Sequence, residues 1–118
     1  MHGVPANLDL SFFHAAELVQ VCLGVHQVQF HFHPQGSISV EGRWELMDGT
    51  SRVIDRHCDP PRQDAYQFHR VLGRSVECTE IEPPTSFAVR FTGGLVLRVF
   101  VDVSLYEDVS IQPGNIVL

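Results

Sequence analysis

Apolar and polar residues alternate one by one along most of this chain, in blocks of strand length that glycine and proline separate. In the first block, Val19, Val21 and Leu23 occupy every second position and are expected to share a face. Successive side chains of a β-strand point to opposite faces, so this spacing predicts strands with one apolar face. The short breaks favour antiparallel neighbours. We therefore expect a mainly β (α+β) protein, packed as a sandwich or a partly closed barrel.

The first hairpin can be assigned a register, because residues directly opposite in an antiparallel pair share a face. Pairing Phe32 with Ile38 and Phe30 with Val40 collects the large apolar side chains on one side. The same register encloses the Pro-Gln-Gly sequence of residues 34–36, which suits a tight turn.

The second hairpin follows the same plan. A three-residue loop, Thr92–Gly94, pairs Phe91 with Leu95 and Val89 with Leu97, and keeps the apolar side chains together. A two-residue loop would mix the two faces, so we expect the longer loop.

Sliding the second part of the chain onto the first brings apolar positions into coincidence. This predicts a single domain over residues 1–118, built from two pseudo-repeated meanders at about residues 15–57 and 72–118. Between them, helical spacing of apolar residues after a proline pair, and Gly73 beyond it, predict one short helix over about residues 62–72.

The charge balance limits the kinds of partner. The chain has 118 residues and a formal net charge of −6, and its eight basic residues are all arginines, scattered singly. Such scatter offers no basic stripe for a run of phosphates, so we expect no nucleic-acid partner. An acidic surface favours a basic protein partner.

The hydrophobicity pattern, the N-terminal stretch and the cysteines indicate the cellular compartment. No apolar run approaches the roughly 20 residues of a membrane-spanning helix, and the N-terminal stretch lacks the pattern of a secretory signal. We expect a cytoplasmic protein with no membrane association. Cys22, Cys58 and Cys78 form no Cys-x-x-Cys pair, so neither a disulfide framework nor a zinc knuckle is indicated.

One candidate metal site stands out, the His-x-His spacing of His31 and His33. Two imidazoles at this spacing on a strand share a face and could help to bind zinc, with a third ligand from the Arg56–Asp59 loop. The alternative is that both join Gln27 and Gln29 on a solvated or partner-facing sheet surface. We favour this alternative and expect no cofactor, since two ligands do not close a site.

Apolar residues on the outward face of the late strand are a second candidate site. If Leu95 and its alternates line the core, Val96 and Phe100 face outwards, where they need a cover. The short helix or a second copy of the chain could provide it. Trp44 belongs with them, because tryptophan is enriched where proteins meet.

Six segments resemble a family of short uncharacterised bacterial proteins over nearly the whole chain: "VCLG", "QFHF", "ISVEGRWEL", "VLGRSV", "FAVRFTGGLVLRVFVD" and "YEDVSIQPGNIVL". Some similar small domains are regarded as antitoxin or immunity proteins, which bind and block a toxin. The resemblance favours a binding role, and no catalytic residue can be carried over from it.

Two functions remain open. The first is a non-catalytic cytoplasmic interaction protein, homodimeric and immunity-like, that uses Val96, Phe100 and Trp44 or an acidic surface. The second is a small metal-dependent or ligand-binding enzyme that uses His31 and His33. No nucleophile, phosphate-binding or dinucleotide motif is present, so we expect binding rather than catalysis.

Overall fold

A computed structural model describes residues 3–25, 27–50, 52–56, 67–101, 109–114 and 116–118. Single turns of 3-10 geometry occur at Ser11–Phe13 and Phe68–Arg70, and Thr92–Gly94 form a tight turn with two left-handed glycines. The strands are β1 (Glu17–Leu23), β2 (Val28–His33), β3 (Ser37–Val40), β4 (Trp44–Met47), β5 (Val53–Arg56), β6 (Val76–Glu82), β7 (Ser86–Phe91), β8 (Val96–Phe100), β9 (Val109–Gln112) and β10 (Ile116–Val117).

The strands form two five-stranded antiparallel sheets that pack face to face. Sheet A has the order β1-β2-β3-β9-β10, and sheet B has the order β5-β4-β8-β7-β6. The described strands do not close into a barrel, so the sandwich form of the predicted mainly β fold is confirmed. No helix in the described ranges is long and apolar enough to cross a membrane.

The chain changes sheets at equivalent points. After β3 it leaves sheet A, and β4 pairs with β8 in sheet B; after β8 it leaves sheet B, and β9 pairs with β3 in sheet A. The starts of β1 and β6 also meet, at a bridge between Glu17 and Ser75. Each sheet therefore consists of one meander and two strands that come from the other part of the chain.

The inward faces of both sheets share one core. Trp44 of sheet B is fully buried, with its ring 6.2 Å from that of Phe30 in sheet A and 5.1 Å from that of Phe68. At the other end of the core, Phe32 of sheet A stacks on Phe91 of sheet B. Burying one side chain of this size contributes about 1.5–3 kcal/mol, and such aromatic pairs add to that value.

The register of the first hairpin differs from the prediction by two residues. Phe30 pairs with Ile38, and the Phe32 N–H donates to the Gly36 C=O at 2.9 Å. The ring of Phe13 lies 4.8 Å from that of Phe32 and against Gly36. The predicted register would put Ile38 in the space of the Phe13 ring. Because the register differs by an even number of residues, each side chain lies on its predicted face, although the predicted pairs were wrong.

The second hairpin has the predicted register. Val89 pairs with Leu97, and the Phe91 N–H donates to the Leu95 C=O at 2.7 Å around Thr92–Gly94. Three residues suffice here because glycines with positive φ follow the threonine.

The first strand departs from simple alternation because a bulge at Val19 interrupts its pairing with β2. Leu18 is fully buried before the bulge, and Val21 packs against the core after it. Val19 and Leu23 are 49% and 41% exposed, so of the three alternating residues of this block only Val21 packs against the core.

The predicted helix over residues 62–72 lies partly outside the described residues. Within its described part, Phe68–Arg70 form one 3-10 turn, and Val71 and Leu72 continue as a turn up to Gly73, whose φ is +85°. Of the apolar residues with helical spacing, Phe68 is buried and Leu72 is 42% exposed.

We predict that Gly36→Ala lowers the free energy of unfolding by about 2–4 kcal/mol. A Cβ atom at Gly36 would lie 2.6 Å from Cε1 of Phe13, in a backbone conformation with φ +109°. Gly73→Ala is the matched control, because Gly73 also has a positive φ but a Cβ atom there would meet no other atom within 4 Å. Its cost should be about 1 kcal/mol, from the backbone alone. Equal losses in urea unfolding would contradict the packing of Phe13 on Gly36.

Candidate functional site

The two histidines of the His-x-His pair lie on the outer face of sheet A. His31 is opposite Gln20 on β1 and Ser37 on β3, and its Nε2 is 3.1 Å from Oε1 of Gln29. His33 is exposed at the end of β2, opposite Glu17. The predicted shared face is therefore present. His31 stands beside amides and a hydroxyl, whereas His33 lies opposite a carboxylate.

The described part of the chain places no metal-binding group around this pair. Among the described residues, no three His, Cys, Asp or Glu side chains are placed to hold an ion together. The segment expected to supply the third ligand begins at Arg56, the last residue of β5 in sheet B. Its other residues, 57–59, lie outside the described part of the chain.

Among the described residues, the centre of the outer face of sheet A carries no aspartate, glutamate or arginine side chain. Strand pairing places the outward side chains of β1, β2, β3 and β9 in one array, and most of them are partly buried. The uncharged face, as we call this array, consists of Gln20, Cys22, Gln29, His31, Ser37, Ser39, Ser110 and Gln112.

The outer face of sheet B has the opposite character, because ion pairs cross it. Arg90 binds Glu80 with its Nε at 2.6 Å from the carboxylate, and Arg98 lies 3.6 Å from Glu82 and donates to the hydroxyl of Ser86. These two arginines thus interact with carboxylates of the same chain, and Arg98 also with a hydroxyl.

The predicted apolar interaction surface on sheet B is largely absent. Val96 points outwards but is only 6% exposed, beside Arg90, whose stem can cover an apolar neighbour. Phe100 is half-buried, with the Arg43 guanidinium 4.2 Å from its ring centre. The chain's own arginines thus flank both residues, and no second copy is needed to cover Val96.

The placement of Trp44 on that surface was wrong. Trp44 pairs with Val99 and points into the core, so no partner molecule can reach it. The sequence contains the signal for this position, since Ile38, Val40, Trp44 and Leu46 are all even-numbered and all buried. The alternation continues through the change of sheets.

Asp55 is a buried acid, and the sequence pattern did not reveal its burial. It lies on β5 opposite Leu46 and is 5% exposed, and its Oδ2 accepts the Gln67 N–H at 2.6 Å. Burial raises the pKa of this carboxyl, while the hydrogen bond from Gln67 and the nearby positive side chains oppose the rise. The bond fixes the chain next to Phe68, which contacts Trp44. Asp55 is thus a structural tether.

Comparison of the chain with protein-family models, with curated proteins and with solved structures found no match. The resemblance to short bacterial proteins therefore stays a prediction.

We predict that Asp55→Asn changes how stability depends on pH. The pKa of Asp55 is raised above 3.8 in the folded protein, so folding favours its protonated form. The stability from this group is then lost as the pH rises from 3.8 through the folded pKa. The asparagine keeps an oxygen acceptor but does not ionise. The stability of the variant relative to the parent should therefore increase with pH across this window, as measured by urea unfolding.

Asp9→Asn provides the control of opposite sign. Hydrogen bonds from Ser11 lower the pKa of Asp9, so the parent gains stability as the pH rises towards 3.8. The relative stability of this variant should fall with pH in that lower window. A flat or falling curve for Asp55→Asn would show that its carboxyl is not held in a desolvated site.

Proposed function

We propose that this chain is a non-catalytic protein-interaction domain that works in the cytoplasm as a homodimer and binds a protein partner through the uncharged face of sheet A. The observation that carries the proposal is the contrast between the two outer faces. One presents neutral amides, hydroxyls and an imidazole, and the other presents arginine–carboxylate pairs.

The contrast matters because binding requires both surfaces to lose water. Charged groups cost far more to desolvate than neutral polar groups, and the centres of protein interfaces are depleted in charge. Neutral amides and hydroxyls can still donate and accept hydrogen bonds with a partner. Eight adjacent outward positions without a charge therefore favour docking, in a chain with 19% charged residues.

Acidic residues lie at the margins of this face. Glu17 is exposed at one end, opposite His33, and Glu41 is exposed just after β3 at the other end. Together with the net charge of −6, they favour a partner with a neutral polar centre and basic residues around it. A basic toxin bound by an immunity-like domain would fit this description.

The alternative is a metal-dependent or ligand-binding enzyme that uses His31 and His33. The contact of His31 with Gln29, and its position opposite Gln20, suit a polar binding surface as well as they suit a metal site. No group of three potential ligands forms in the part of the chain that the structure covers, so no observation favours this alternative.

Site-specific photo-cross-linking in the native host tests the proposal. A benzophenone amino acid in place of Ser39, at the centre of the uncharged face, should trap one defined protein. The same amino acid in place of Glu82, on the outer face of sheet B, should not trap it. Ser39→Arg should weaken binding of the trapped protein by about tenfold or more, since a charge would be buried against a neutral surface.

Ser39→Thr is the matched control, because it keeps the hydroxyl and suits a strand. Its binding should stay within about twofold of the parent, well under the roughly 1.4 kcal/mol that a tenfold change represents. Equal trapping from both faces, or unchanged binding of Ser39→Arg, would contradict the proposal. Stoichiometric zinc in untagged protein that is lost in His31→Ala would support the enzyme alternative.

A further inference from the structure

Exposed apolar side chains are concentrated along the outer edge of β1. Val19, Leu23 and Val25 are 49%, 41% and 67% exposed. Leu72 lies next to the start of this edge, because the Gly73 N–H bonds to the Leu18 C=O. Of the large apolar side chains that are exposed in the described residues, only Val117 lies elsewhere, on β10 at the opposite edge of sheet A.

The backbone of this edge can accept another strand. The Gly24 N–H donates to the Gln27 C=O at 2.7 Å. Towards the start of β1 from this pair, hydrogen-bonded and non-hydrogen-bonded positions therefore alternate. Val21 and Leu23 fall at the non-bonded positions opposite β2. Their N–H and C=O groups therefore point away from β2, towards the side on which no described strand pairs with β1 at these positions.

The equivalent edge of sheet B is protected by charge. β6 has the same length as β1 and the same bulge near its start, at Glu77 where β1 has Val19. β6 also carries Glu80 and Glu82, whereas β1 has no charged residue after Glu17. Carboxylates on an edge strand discourage pairing with another chain. β1 lacks this protection.

The sequence along β1 is symmetric in polarity about Cys22. In "VQVCLGV", residues 19–25, valine stands at both ends and Val21 mirrors Leu23. An antiparallel strand of the same sequence centred on Cys22 would therefore bring apolar residues opposite apolar residues. The same arrangement on β6, centred on the equivalent Glu80, would put two carboxylates face to face.

From these observations we infer that two copies of the chain pair through their β1 strands, antiparallel, with the two-fold axis at Cys22. Val19 lies opposite the partner's Val25, and Val21 exchanges backbone hydrogen bonds with the partner's Leu23. The two five-stranded A sheets become one continuous sheet. Cys22 belongs to the uncharged face, so this face runs across the dimer; the inference thus specifies the dimer of the proposed function and rests on it.

Sedimentation over a concentration series tests the edge. The parent should form a dimer, and Val25→Glu should raise the dissociation constant by about tenfold or more, because a carboxylate would lie against a valine. Val25 is the most exposed of these side chains, so the substitution leaves the fold intact. Val117→Glu, at the far edge of the same sheet, is the matched control and should dimerise like the parent. A monomeric parent, or equal weakening by both substitutions, would overturn the inference.

A charge pair tests the register. Val19→Arg alone should weaken the dimer, and the double variant Val19→Arg/Val25→Glu should regain it, since arginine and glutamate then face each other twice across the axis. In a register shifted by two residues the charges would not meet. A double variant as weak as the single variants would overturn the pairing about Cys22.

The native thiols give a direct readout. Cys22 and Cys78 are both free, and directly opposite cysteines in an antiparallel pair are close enough for a disulfide. In a Cys58→Ser background, mild oxidation should yield a covalent dimer that Cys22→Ser abolishes and Cys78→Ser preserves. Cross-linking through Cys78 would place the contact on the wrong edge and overturn the inference.

These outcomes are separable from those for the proposed function. If the protein is monomeric but the benzophenone at position 39 still traps a partner, the dimer is refuted and the binding role stands. If the β1 dimer forms but no partner is trapped by either face, the binding role is refuted and the dimer stands.

Discussion

The structure depends on the exchange of strands between the two sheets. β4 must reach β8, and β9 must reach β3, before either sheet has its central pairings. Neither meander can bury its apolar face without the strands supplied by the other part of the chain. Ordering therefore requires contacts between residues far apart in sequence, whose loop-closure entropy must be offset before the core forms. The Glu17–Ser75 bridge connects the two sheets where β1 and β6 begin.

Much of this architecture can be predicted from apolar residues at every second position. The predictions that were wrong have physical causes. Alternation identifies the faces, and the loop Thr92–Gly94 identifies one register. It does not reveal which sheet a strand joins. Trp44 was misplaced although the alternation through Ile38, Val40 and Leu46 marks it as an inward-facing residue. The first hairpin failed because the ring of Phe13, distant in sequence, occupies the space opposite Phe32. Long-range packing of this kind leaves no mark in the local pattern.

The candidate site was partly visible in the sequence. His31 and His33 were correctly assigned to one outward face, but an array that combines four strands cannot be seen before β9 is known to lie beside β3. Val96 faces outwards as predicted, but its 6% exposure beside Arg90 depends on side-chain packing that no sequence pattern specifies. The burial of Asp55 goes with its hydrogen bond from the Gln67 N–H, a contact between residues 12 positions apart in sequence.

Trp44 stands where the two sheets meet, against Phe30 of one sheet and Phe68 beside the other. It is the only tryptophan of the chain. Its indole emission therefore reports from the centre of the sandwich, and water reaches the ring only when the two layers come apart. Intrinsic fluorescence thus offers a label-free signal for separation of the sheets, distinct from the backbone circular dichroism that follows the strands themselves.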